Sequence, residues 1–240
     1  MPLVPWWALL SSGTAPVLLV VGSAAASALQ PAGYDPLSHT ISALASNEAT
    51  DRWLMTSVLA GIGVCYFVTA CGLRHVRPAG RVMLLMGGVA SIAVALFPEP
   101  GYGGTTPQHV VATGIGFTML ALWPCLAVEG GPAAPWPLRR GISVGFTVLV
   151  LGSAVWFLVA LNGHGDAGFA ERVVIGLQAV WPLVVASGLR YSARQQGRRH
   201  PDGEAGQRGA WQAAMRSEAV DGEGGQALSR GGDADRQQHR

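Results

Sequence analysis

Six apolar stretches, at 6–29, 53–73, 82–97, 109–128, 141–161 and 173–189, set what this chain can become, because none of them contains an Asp, Glu, Lys or Arg. A helix needs about 20 mainly apolar residues to cross about 30 Å of hydrocarbon. Segments of this kind satisfy their backbone N–H and C=O groups internally only as helices or closed barrels, and runs this long and apolar read as helices. The expected fold is therefore all-α: a polytopic membrane protein, a bundle of six transmembrane helices over residues 1–190. Composition agrees, since 12% of the 240 residues are charged and 50% are hydrophobic, whereas a soluble domain carries about 25% charged residues. Residues 191–240 are rich in Gly, Gln, Arg, Asp and Glu. Such a stretch cannot bury a core, so a disordered cytoplasmic tail is expected there.

Orientation follows from arginine, which supplies all 16 basic residues. Short cytoplasmic loops are enriched in Arg and Lys. Arg74, Arg77 and Arg81 lie between the second and third stretches, Arg139 and Arg140 between the fourth and fifth, and Arg190, Arg194, Arg198 and Arg199 follow the sixth. Six crossings put all of these on one side, so both termini are expected to be cytoplasmic, with the protein in the cell membrane. The sequence SAAASALQ before Pro31 resembles the end of a signal peptide. Without a positive start, and with a long apolar run, the first stretch is expected to span instead. A net charge of +2 gives no reason to expect nucleic acid as a partner; the partners expected are the bilayer and a lipid or small molecule. Cys65, Cys71 and Cys125 fall inside apolar stretches and read as small buried side chains. Paired small residues such as Gly61 and Gly63, Gly87 and Gly88, Gly114 and Gly116, and Gly145 and Gly152 read as helix-packing positions.

The opposite, outer side collects the chemistry. His39, His109 and His164 map there, together with Asp35, Glu99, Asp166, Glu171 and Arg172. In GYDPLSHTISAL, residues 33–44, a helix starting near Asp35 with Pro36 at its first position has a strong start signal. Helical spacing then groups Asp35, His39, Ser42 and Ser46 opposite Leu37, Ile41 and Leu44. This short amphipathic helix in the first outer loop either lies along the surface with its apolar side down or folds its polar side over the mouth of the bundle. Glu171 is favoured at a helix start by the helix dipole, Arg172 is placed to pair with an outer acid, and Gln178 to bond a neighbouring helix.

The run Gly33, Tyr34, Asp35, Pro36, Leu37, His39, Thr40, Ile41, Ser42 and Leu44, with Trp53 and Met55 opening the second stretch, resembles the signature of the domain-of-unknown-function family numbered 998. Phe97-Pro98, His109 after a Gly-rich loop, Glu171-Arg172 and Trp181 extend the likeness over about residues 10–190. The resemblance implies a prokaryotic membrane protein of about six helices and no activity.

Two functions fit these residues. Charge is absent at bundle depth, where proton relays and pumps carry it, which favours a non-catalytic protein that handles a lipid or small molecule, senses, or serves as an accessory subunit. No cofactor is expected on this reading. The alternative is a membrane-embedded metal-dependent hydrolase. Zinc would sit on His39, His109 and His164, with Asp35 or Asp166 as base and Ser42 nearby. Ceramidase-like and adiponectin-receptor-like hydrolases use comparable residues, but this chain lacks their HxxxH pair and has one helix fewer.

Overall fold

The computed structural model describes residues 4–101, 103–131, 134–163 and 165–199, together with 210–212 and 215. The first unit, residues 1–192, holds six helices long and apolar enough to cross a membrane: α1 (Trp6–Ala28), α2 (Trp53–Gly72), α3 (Pro78–Leu96), α4 (Pro107–Leu126), α5 (Arg140–Leu161) and α6 (Ala167–Arg199). The chain is a multi-pass membrane protein built as a six-helix bundle. Residues 193–240 cluster as a second unit, in which 193–199 are the end of α6 and 210–212 and 215 are helical. The rest of the expected disordered tail lies outside the described residues.

The helix starts follow local chemistry. Proline opens α3 and α4, where its missing N–H costs no helical bond, and the Thr106 hydroxyl caps α4 by accepting the His109 N–H at 3.2 Å. The sixth helix starts six residues before the expected 173 and runs ten beyond 189. Its early turns carry Glu171 and Arg172, which an apolar window excludes although the helix tolerates both.

Consecutive helices from α1 to α5 pack side by side, and α6 closes the bundle. Leu183 of α6 lies beside Gly13 of α1, Gln178 donates to the Phe117 carbonyl of α4 at 3.2 Å, and Trp181 stacks on Phe146 of α5 with ring centroids 3.9 Å apart. Backbone meets backbone where α2 crosses α3. A Cβ added to Gly63 would lie 2.5 Å from the Gly88 carbonyl oxygen, and one added to Gly88 would lie 2.6 Å from that of Gly63. Gly87 packs on Leu120, and Gly61 and Gly116 abut Leu18 and Ala90, whereas Gly114, Gly145 and Gly152 face open space. The packing role read from the paired glycines thus holds for α2 and α3 and fails for α5. Cys65 is buried but Cys71 is exposed. Trp123, one of several tryptophans near a helix end, is buried in the core, while Trp6 and Trp53 are exposed as interfacial anchors are.

These contacts separate two kinds of glycine. Gly63→Ala is expected to lower the unfolding free energy by about 1–3 kcal/mol through overpacking. Gly152→Ala is expected to stay within about 0.5 kcal/mol of wild type. Unfolding of both variants in the same detergent, followed by tryptophan fluorescence, measures the difference.

Candidate functional site

The loop after α1 is folded onto the start of α6. Asp35 closes a turn in which its carboxylate accepts from the Leu37 N–H at 3.0 Å and the Ser38 hydroxyl at 2.6 Å, while the His39 N–H bonds the Asp35 carbonyl at 2.9 Å. The Ser38 hydroxyl first, and then the Leu37 N–H, hold the Asp35 carboxyl below its ordinary range. A short 3-10 helix, Ser42–Ala45, follows. Helix in this loop therefore begins at Ser42 and not near Asp35. The Asp35 cap is satisfied within a single turn, and the next residues are drawn to α6. Ile41, Ser42, Ala43, Leu44, Ala45 and Ser46 are all buried, so the loop is neither a surface helix with one wet face nor amphipathic in its setting. It is a plug.

Adjacent residues of α6 hold it in place. The Glu171 carboxylate, on a residue 2% exposed, accepts the Ile41 N–H through Oε2 and the Ser42 hydroxyl through Oε1 at 3.2 Å. Arg172 donates from Nη1 to the carbonyls of Pro36 at 2.6 Å, His39 at 2.9 Å and Gly168 at 2.9 Å, and from Nη2 to the Tyr34 hydroxyl at 3.1 Å. The Phe169 N–H reaches the Leu37 carbonyl at 2.9 Å. Gly168 has to be glycine for this approach, because a Cβ there would run into the His39 and Pro36 carbonyl oxygens.

Under the plug lies a cavity of about 620 Å³. Its polar end is formed by His39, Ser42, Glu99, His109, Thr113 and Glu171, and its apolar wall by Val110, Phe117, Phe157, Leu158 and Leu161 of α4 and α5. The loop between α3 and α4 reaches it through Glu99, whose carbonyl accepts the Asn47 N–H at 3.0 Å. His109, 4% exposed, places Nδ1 at 2.9 Å from the Phe97 carbonyl oxygen and Nε2 at 3.5 Å from Glu99 Oε1. A carbonyl only accepts, so Nδ1 carries a hydrogen. Nε2 then faces Glu99 either as an acceptor from a protonated carboxyl or as a donor to a carboxylate. Burial, and secondly the charge of Glu171, push Glu99 up to about 7.

With this geometry in view, the chain can be compared with known proteins. It matches the profile of "Protein of unknown function (DUF998)" over residues 14–188. The chain belongs to the DUF998 family. Neither the curated proteins nor the solved structures hold a match to it.

Of the residues singled out from the sequence of this DUF998 protein, His39, Ser42, Glu99, His109 and Glu171 line the one cavity. Asp35 serves its own turn, Asp166 is exposed, and Arg172 bonds loop carbonyls where an outer acid was expected as its partner. His164 lies outside the described residues. Among the described residues no three His, Cys, Asp or Glu side chains are grouped to hold a metal ion. Ser42 hydrogen-bonds Glu171, and His109 faces Phe97 and Glu99, so this serine and this imidazole are not a nucleophile and base pair. Sequence reading passed over Thr113, Phe117 and Phe157. The signal for two of them was present: His109, Thr113 and Phe117 recur every four residues on one face of α4.

The raised Glu99 carboxyl carries a pH dependence with a definite sign. A carboxyl whose folded value lies above its unfolded value contributes stability below about pH 4.5, and that contribution is lost as pH rises through about 7. Thermal midpoints should therefore fall between about pH 5 and pH 8, and Glu99→Gln should flatten that fall. An unchanged slope in the variant would assign the dependence to other groups.

Proposed function

We propose that this protein binds an amphiphilic molecule, a lipid or a lipid-like compound, in the cavity under the first loop, and that it does so without catalysing a reaction. One observation carries the reading. The cavity has a polar end built from Glu99, His109, Glu171 and Ser42, and a wall whose residues Val110, Leu158 and Leu161 are also exposed on the apolar outside of α4 and α5. A head group fits the first and a hydrocarbon chain the second. The volume of about 620 Å³ falls within the about 300–1,000 Å³ usual for small-molecule pockets. Handling, sensing and accessory roles all begin with such binding.

Gly114 supplies the means of testing it. It lines the cavity, and a Cβ there would meet nothing within 4 Å. Gly114→Phe should fill the space without disturbing a packed contact. Native mass spectrometry of protein purified in lipid discs is expected to find bound amphiphile on wild type and a loss of about tenfold or more in occupancy on the variant. Equal occupancy on the two proteins would sink the proposal.

Arginine supports the orientation, with the cavity on the outer face of the cytoplasmic membrane of a prokaryotic cell and both termini inside. Arg74, Arg77 and Arg139 occupy the loops of the opposite end, and Arg81 and Arg140 the first turns of the helices that follow them. A C-terminal fusion to a fluorescent protein should glow, and one to alkaline phosphatase should be inactive. The reverse pattern would turn the molecule over.

A further inference from the structure

The polar end of the cavity has a sign. Among the described residues its lining contains two carboxylates, Glu99 and Glu171, and no arginine. Arg172, next in sequence, commits its guanidinium to Pro36, His39, Gly168 and Tyr34. A phosphate or carboxylate head group would meet two acids with only histidine to answer it. Phe117 and Phe157, ring centroids 5.7 Å apart, line the same cavity, and aromatic faces attract cations.

A second observation points the same way. A smaller chamber of about 70 Å³ shares Ser42, Thr113, Phe117 and Glu171 with the first and extends to Tyr66 and Gln178. Tyr66 is 2% exposed and its hydroxyl has no hydrogen-bond partner; the buried Thr113 hydroxyl has none either. Buried hydroxyls without partners are uncommon. Thr113 lies at the junction of the two chambers, where its oxygen is available to an N–H donor.

We propose that the occupant is an amphiphile with a protonated amine: its ammonium group lies between Glu99 and Glu171 against Phe117 and Phe157, donates to Thr113, and its chain leaves between α4 and α5. This rests on the pocket reading above and names the class of head group. An arriving ammonium competes with the proton that Glu99 retains up to about 7. Glu171 from α6, His109 from α4 and His39 from the first loop are the other titratable groups of the cavity lining. Amine binding strengthens as pH rises.

The test uses full-length protein in phosphatidylcholine discs, with dodecylamine, dodecanol and dodecyl phosphate as probes of equal chain length. Ligand stabilisation of the thermal midpoint is read for each. Gly114→Phe supplies the background from partitioning into lipid. At about pH 8 dodecylamine is expected to half-saturate at roughly one tenth of the concentration of the other two. That advantage shrinks toward about pH 5.5, where Glu99 is protonated. Glu99→Gln, which leaves the bonds to the loop intact, and Thr113→Val should each remove most of it. Equal half-saturation by all three probes, or preference for dodecyl phosphate, with either pattern lost in Gly114→Phe, overturns the amine assignment and leaves the pocket reading standing. Stabilisation by all three that persists in Gly114→Phe overturns both.

Discussion

The structure depends on one pair of adjacent residues in α6. Glu171 presents acceptors and Arg172 presents donors, and together they take up the backbone groups of a loop that no helix or sheet can satisfy: the Ile41 N–H on one side, and the Pro36 and His39 carbonyls on the other. Irregular backbone at or near membrane depth survives only where protein or an aqueous cavity meets its polar groups. With both groups in place, the chain from Ile41 to Ser46 can be buried although it is not an α-helix. Loss of either side chain would leave backbone groups of the loop without a hydrogen-bond partner, at a cost of about 1–3 kcal/mol for each one that is buried. The cavity beneath exists because this roof is held.

The two residues were legible in the sequence, but their partners were not. An acid and an arginine at the start of an apolar helix signal a site, and helix dipole and side-chain pairing are the partners that a list of side chains offers. The actual partners include the Ile41 N–H and the Pro36 and His39 carbonyls, main-chain atoms from more than a hundred residues earlier, and main-chain atoms carry no sequence signal. The same limit explains the first loop. Asp35 and Pro36 do mark a capped turn, but how far helix continues beyond it is decided by the Ile41 N–H, which goes to Glu171 and not to a continuing α-helix. The six helices were legible because apolar length is a property of the segment alone. Their mutual packing was legible only where two glycines meet backbone to backbone, as Gly63 and Gly88 do; Gly145 and Gly152 look the same in sequence and touch nothing.

That contrast divides the bundle into a tight part and an open one. In α2 and α3 the glycines bring backbones together and leave no room between them. In α5, and at Gly114 of α4, the same residue type leaves space. Gly114 opens the wall of the cavity, and the C-terminal half of α5 shows Val155, Leu158, Val159 and Leu161 on its exposed surface. Lipid gives helices no hydrophobic reason to associate, so α5 is held by the few side chains it buries, among them Phe157 against Phe117 and Phe146 against Trp181. A wall so sparsely attached is the side from which the proposed acyl chain would enter.

Charge at the polar end has to be reconciled with this exposure to lipid. Two carboxylates near a hydrocarbon boundary are costly when ionised and unpaired, and burial accordingly pushes Glu99 up to about 7. The Glu171 carboxyl is bonded into the roof by the Ile41 N–H and the Ser42 hydroxyl, whereas the Glu99 carboxyl faces His109. An occupant that brings positive charge relieves the second without disturbing the first. The cavity can therefore change its charge state while its roof stays in place, which is the property that a binding site separate from the folding machinery requires.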